Sequence, residues 1–170
     1  MPLTTHICYA DIMNDEKTNH EHFMEEALIE AEKALAADEV PIGAVIVYNG
    51  EIIGRGHNLR TSKKNSLYHA EIIAINEACG FMGDWRLENC MIYVTVEPCP
   101  MCAGAIIQSR ISEVVFGVPN PKAGCGGSIL NILDNSRFNH RANIVSGVSA
   151  DECGQLMQAF FQKMRVKVEG

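Results

Sequence analysis

The sequence predicts a layered α/β domain, a central sheet with helices on its faces, and three observations carry that expectation. Apolar residues recur at helical spacing in a segment near the N-terminus, two β-branched runs flank an Asn-Gly pair, and helix-period and strand-like segments then alternate to the end of the chain. At 170 residues the chain is long enough to build a core without cross-links.

Residues 1–18 mix Pro, Thr, Asn and charge with no period and are expected to form a flexible tail, leaving a single domain over 19–170. From there "HEHFMEEALIEAEKALAAD" aligns Phe23, Ala27, Ala31 and Leu35 and predicts an amphipathic helix. "PIGAVIVYNGEIIGRGHN" predicts a hairpin that turns at Asn49-Gly50, a pair suited to the positive φ angles of a two-residue turn. "HAEIIAINEAC" reads as a helix, "CMIYVTV" as a strand, "MCAGAIIQSR" as a helix and "EVVFGV" as a strand. "PNPKAGCGGS", residues 119–128, is a loop whose glycines would let backbone approach a ligand. "ANIVSGV" reads as the last strand, and "DECGQLMQAFFQKMR", acidic at its start and basic at its end, as a closing helix. The strand after the hairpin is expected to run parallel to its neighbour through a helical crossover.

Seven cysteines, odd in number and scattered, suggest reduced thiols, and there is neither a signal-peptide pattern nor an apolar run of membrane-spanning length. A cytoplasmic protein without membrane attachment is expected. The net charge of −7 taken whole argues against a polyanionic partner. Residues 1–39, however, hold ten of the twenty-one Asp/Glu and only two of the fourteen Lys/Arg, a net of −8 that leaves +1 for residues 40–170. Basic residues gather at Arg55, Arg60, Lys63 and Lys64, at Arg137, His140 and Arg141, and at Lys163, Arg165 and Lys167. Such patches either line one groove or are a scatter of solvated charge.

Chemistry enters with "EPCPMCAG", residues 97–104. Cys99 and Cys102 have the spacing of a redox pair, but long helical and hairpin segments precede them where a thioredoxin-like unit would begin with βαβ. A closed structural zinc site would need a second close pair, which the other cysteines do not supply. His69-Ala70-Glu71 heads the preceding helix. One histidine and two thiolates make three zinc ligands with a fourth position open to water, the pattern of a catalytic site. Glu71, two residues beyond the histidine, is placed to take a proton from that water without being a ligand.

"H-A-E" followed by "P-C-x-x-C" resembles the signature of zinc-dependent nucleobase deaminases. With "EVPIGAVIV", "GRGHN", "WRLENCMIYVTVEPCPMCAGAI", "VVFG", "GSILNIL", "FNHR" and "FFQKMR", the chain from about residue 20 to 166 is similar to the bacterial tRNA-specific adenosine deaminases. That resemblance implies a three-layer α/β/α cytidine deaminase-like fold with a mixed sheet of about five strands. It implies one Zn2+ per subunit on His69, Cys99 and Cys102, with Glu71 as proton shuttle, in an enzyme that converts adenosine to inosine at the wobble position of a tRNA anticodon stem-loop. Asn58 would bond the flipped nucleoside, backbone groups of Ala70 and Pro98 would meet the base, and Val40 and Ile42 would wall its pocket. Arg60, Lys63, Lys64, Lys122, Arg141 and Arg165 would meet RNA, with Phe160 and Phe161 as a stacking face, the acidic first helix turned away and a homodimer supplying the surface.

Two positions depart from the pattern. Tyr68 stands before the histidine where smaller or aliphatic residues are common, and Asn120 stands where many members carry aspartate near the sugar, which would relax discrimination between ribose and deoxyribose. The competing readings are a deaminase of a free nucleobase or nucleoside such as guanine, and a noncatalytic RNA-binding subunit.

Overall fold

The structure, a computed structural model, describes residues 9–169. It opens with helix α1 (Tyr9–Ala36). Residues 9–18, read from sequence as part of a tail, are therefore helical, and residues 1–8 lie outside the described residues. The 28-residue run contains neither Pro nor Gly, so a helix nucleated in its amphipathic half can propagate backwards without an apolar period.

Strands β1 (Gly43–Tyr48) and β2 (Glu51–His57) form the expected hairpin. Its turn residues have φ of 50° at Asn49 and 78° at Gly50, the two positive angles that favour Asn-Gly. There follow α2 (Ala70–Met82), β3 (Cys90–Val96), α3 (Pro100–Gln108), β4 (Glu113–Val118), β5 (Asn143–Ser146) and α4 (Ala150–Glu169).

The mixed sheet has the order β2-β1-β3-β4-β5. β3 reaches its parallel neighbour β4 through α3, as expected of a helical crossover. On its other side the expectation needs correcting: β3 is antiparallel to β1. The chain leaves the hairpin on the edge strand β2, crosses in α2 and re-enters beyond β1, so β3 shares the direction of β2 with β1 between them.

Alternation along the strands sorts the core into two layers. Ala44, Ile46, Ile92, Val94, Val114 and Phe116 pack against Ala70, Ala74 and Ala78 of α2 and Ala103 and Ile106 of α3. Val45, Val47, Tyr93 and Val115 pack on the opposite face against Phe23, Met24 and Ala27 of α1 and Cys153 of α4. The first turn of α2 lies hard against β2, because a Cβ at Gly56 would fall 2.2 Å from the Ala70 carbonyl oxygen.

Candidate active site

β2 and β3 point the same way, so α2 and α3 both begin at the carboxyl ends of strands, on one edge of the sheet. His69 stands immediately before α2 and Cys99 immediately before α3, both extended, and neither side chain caps its own helix. Pro100 fits the first position of α3, where no amide hydrogen is needed, and Cys102 follows in its first turn, buried. The side chains left free by this arrangement converge. His69 Nδ1 lies 3.6 Å from Cys99 Sγ and 3.5 Å from Cys102 Sγ.

A tetrahedral ion holding sulfur at 2.3 Å and nitrogen at 2.0–2.1 Å separates the two donors by about 3.6 Å. Donor set and spacing thus fit zinc with three protein ligands, and among the described residues no other group of His, Cys, Asp and Glu is so arranged. The trio shares its protons: a bond from Cys102, with a further one from His69, holds Cys99 down to about 4 against the effect of burial. Cys102 is raised, by its bond to Cys99 and by burial, and His69 is raised, chiefly by its bond to Cys99. A dication would draw off the remaining thiol proton.

Glu71, in the first turn of α2, is 4% exposed. Burial pushes its carboxyl up to about 7, and the negative charge of Cys99 adds to the effect, while its own amide, His69 and Cys102 oppose it. It shares a cavity of about 110 Å³ with Val40, Ile42, Asn58, Arg60, His69 and Ala70. Four of the residues expected around a base, Val40, Ile42, Asn58 and Ala70, are therefore brought together with the histidine, the acid and Arg60. Pro98 and Asn120 do not line the cavity. The Pro98 carbonyl accepts from the Cys125 amide, and the Asn120 side-chain oxygen accepts from the amides of Lys122 and Ala123, a turn within its own loop. Asn58 is buried and fixed, its Nδ2 donating to the Val40 carbonyl at 3.3 Å and its Oδ1 accepting from the Arg60 amide at 3.2 Å. One N–H and one lone pair of that amide remain for a ligand.

The basic residues separate into paired and unpaired sets. Arg55 meets Glu26, Arg141 meets Asp134, and Lys163 and Lys167 meet Asp38, at 2.5–2.8 Å. Arg60, Lys63 and Lys64 have no acidic partner among the described residues. Lys122 and Arg165 line a groove of about 600 Å³ with Phe161, Met164 and Val168. Of the two rings expected to stack, Phe160 is buried at 8% exposure and offers little face, whereas Phe161 is 51% exposed. Sequence reasoning missed two buried carboxylates, Glu39 and Glu97, each bonded to one loop: Glu39 to the segment after Asn58 and Glu97 to residues 120–128. Their only signal is an acid standing beside a strand-like run, in "EVPIGAV" and "VTVEPC". In both, burial would raise the carboxyl, but the bonds from the loops outweigh it and leave the group below its ordinary range.

Residues 18–165 match the model of the MafB19-like deaminase family. The chain is 55% identical over 150 residues to a tRNA-specific adenosine deaminase of Bacillus subtilis (strain 168), covering 88% of this chain and 93% of that one. A structure from a study of A-to-I editing by tRNA:A34 deaminases at the wobble position of transfer RNA superposes with a TM-score of 0.76 at 40% identity, over 79% of this chain and 98% of the other. A guanine deaminase of Bacillus subtilis gives a TM-score of 0.56 at 39% identity, over 59% and 64% of the two chains.

Proposed function

The chain belongs to the tRNA-specific adenosine deaminase family, among the MafB19-like deaminases, and we propose that it hydrolyses adenosine to inosine at the wobble position of a tRNA anticodon, releasing ammonia. The observation that carries this reading is the buried carboxyl of Glu71 facing one cavity together with His69 and Asn58, in a chain so closely similar to such an enzyme.

His69, Cys99 and Cys102 would hold one zinc ion per chain, which when bound renders water a nucleophile at neutral pH. Glu71 takes one proton from the attacking water and delivers it to the purine ring nitrogen, then carries the remaining proton of the added hydroxyl to the departing amine, so that the C–N bond breaks, ammonia leaves and the C6 carbonyl of inosine remains. Asn58 uses its spare donor and acceptor to orient the nucleoside, and Val40, Ile42 and the Ala70 backbone enclose the base. Pro98 and Asn120 have no supporting geometry at this cavity.

An anticodon loop offers unpaired bases at little cost, as chemistry on a base requires. Arg60, Lys63 and Lys64 beside the cavity, and Lys122 and Arg165 with Phe161 in the groove, meet phosphates and hold the loop in register. A free base would need neither set, which weighs against hydrolysis of guanine, and a noncatalytic subunit would not need Glu71. The reading extends to a single deaminase domain over 19–170, located in the cytoplasm and acting as a homodimer. Exposed Ile129, Leu130 and Phe138 are surface of the kind that a second copy covers. Among the described residues no helix is long and apolar enough to cross a membrane.

The test is digestion and chromatography of an anticodon stem-loop carrying adenosine at the wobble position after incubation with the zinc-loaded protein. Inosine at that position, absent after metal removal and restored by zinc, is expected; unaltered adenosine would refute the reading.

A further inference from the structure

Two carboxylates take no part in the chemistry and meet no cation, yet both are nearly sealed from solvent: Glu39 is 1% exposed and Glu97 2%. Each spends its acceptors on one loop. Glu39 Oε1 accepts from the Ser62 amide at 2.6 Å and the Ser62 hydroxyl at 2.7 Å, and its Oε2 accepts from the Thr61 amide at 3.2 Å. Glu97 accepts from the amides of Asn120, Gly126 and Ser128 at 2.8–3.0 Å and from the Ser128 hydroxyl.

One of the loops so gripped adjoins the cavity, and the other is tied to the residue before Cys99, the Cys125 amide donating to the Pro98 carbonyl at 2.9 Å. Thr61 and Ser62 stand between Arg60, which lines the cavity, and Lys63 and Lys64. The same segment is tied to residues 40–42 by the Asn58 amide donating to the Ile42 carbonyl at 3.1 Å and by Asn58 Nδ2 on Val40. Residues 120–128 carry Lys122 into the 600 Å³ groove, and they close so tightly around Glu97 that a Cβ at Gly124 would fall 2.4 Å from its carboxyl. A buried carboxylate without a counter-ion persists only when its lone pairs are filled, so each of these specifies one loop shape. A loop already in its bound shape spares the ordering that binding would otherwise cost.

We propose that Glu39 and Glu97 are positioning residues which preset the two basic loops, so that RNA affinity, and not the chemical step, depends on them. The proposal rests on the functional reading above.

The experiment compares zinc-loaded native protein with Glu39→Gln, Glu97→Gln and the milder Ser62→Ala, which removes a single hydroxyl. Gln keeps the shape but turns an N–H2 towards backbone donors. Steady-state kinetics on the anticodon stem-loop are read beside zinc content and hydrogen exchange of the amides of Thr61, Ser62, Asn120, Gly126 and Ser128. In both Gln variants KM is expected to rise about tenfold with kcat within about threefold, and in Ser62→Ala to rise less. The amides of the affected loop exchange faster at full zinc content. Native KM with native exchange overturns the proposal, as does a fall in kcat at constant KM. Loss of zinc in Glu97→Gln overturns its Glu97 half, because the carboxylate would then serve Cys99 two residues on. If the native protein leaves every stem-loop unaltered, the functional reading fails instead. Exchange then decides: protection kept in the variants overturns the loop assignment, and protection lost from the gripped loop alone upholds it.

Discussion

His69 and Cys99 occupy the same station on two different helices. Each is the last extended residue before a first turn, with φ and ψ of −83° and 153° at His69 and −74° and 173° at Cys99, and their donor atoms stand 3.6 Å apart. Two helices that start at the carboxyl ends of parallel strands thus aim their leading residues at one point. The positive end of each helix favours thiolate there, and the next turn supplies Cys102 from one helix and Glu71 from the other.

Removing a ligand should remove the metal. Cys99→Ala is expected to lower zinc from one ion per chain to near none, measured by plasma mass spectrometry on dialysed protein, and to lower the thermal midpoint because metal binding is coupled to folding. Full zinc content would exclude Cys99 as a ligand.

Glu71→Gln should separate holding the metal from using it. Zinc content stays at one per chain, while turnover of the stem-loop falls by roughly 10²–10⁴-fold, the usual contribution of a positioned acid–base group. Single-turnover rates give the number, and a loss smaller than tenfold would take the proton shuttle away from Glu71.

The approach of α2 to the sheet sets where His69 and Glu71 lie. Gly56→Ala would force a methyl group to within 2.2 Å of the Ala70 carbonyl oxygen, so urea unfolding should show a loss of about 1–3 kcal/mol, the usual cost of overpacking. Ala at Gly50, where φ is 78° and nothing lies within 4 Å, would be strained by backbone conformation alone, a different mechanism in the turn that leads into the same strand.

Asp38 supplies a pH signature. Bonds from Lys163 and then Lys167 hold its carboxyl down to about 2 from an ordinary 3.8. A carboxyl with a depressed folded value gives its full stabilisation above 3.8 and loses it as pH falls through 2. Asp38 is exposed, so the effect is small and salt-sensitive. Asp38→Asn, suited to the local φ of 58°, should therefore be less stable than the native protein at pH 5 and converge with it near pH 2; parallel curves across that range would dissociate Asp38 from α4.

Most of the fold could be read because its elements announce themselves locally: the apolar period of Phe23, Ala27 and Ala31, the Asn49-Gly50 turn and the alternation through β1 and β3 each need only neighbours in sequence. The start of α1 at Tyr9 could not, since a polar helix extension has no period. Nor could the antiparallel pairing of β3 with β1, a choice of tertiary neighbour that local pattern does not contain. Within the site, the convergence of His69, Cys99 and Cys102, with Glu71 beside them, could be expected from the sequence because metal chemistry restricts residue type and spacing. Glu39 and Glu97 were not, because an acid becomes a loop anchor only when folding brings amides 22–31 residues away onto it. Phe160 and Phe161 show the same limit: adjacent rings on one helix part into a buried and an exposed one only once α4 has docked.

The most direct test is the rate of ammonia release from an anticodon stem-loop with adenosine at the wobble position, set beside free adenosine, guanine and cytidine at equal concentration. The account predicts turnover of the stem-loop with the free compounds slower by at least about two orders of magnitude, since they forgo every contact outside the cavity. Equal or faster release from free guanine would contradict it, leaving Glu71 and the three ligands in place but removing RNA as the substrate.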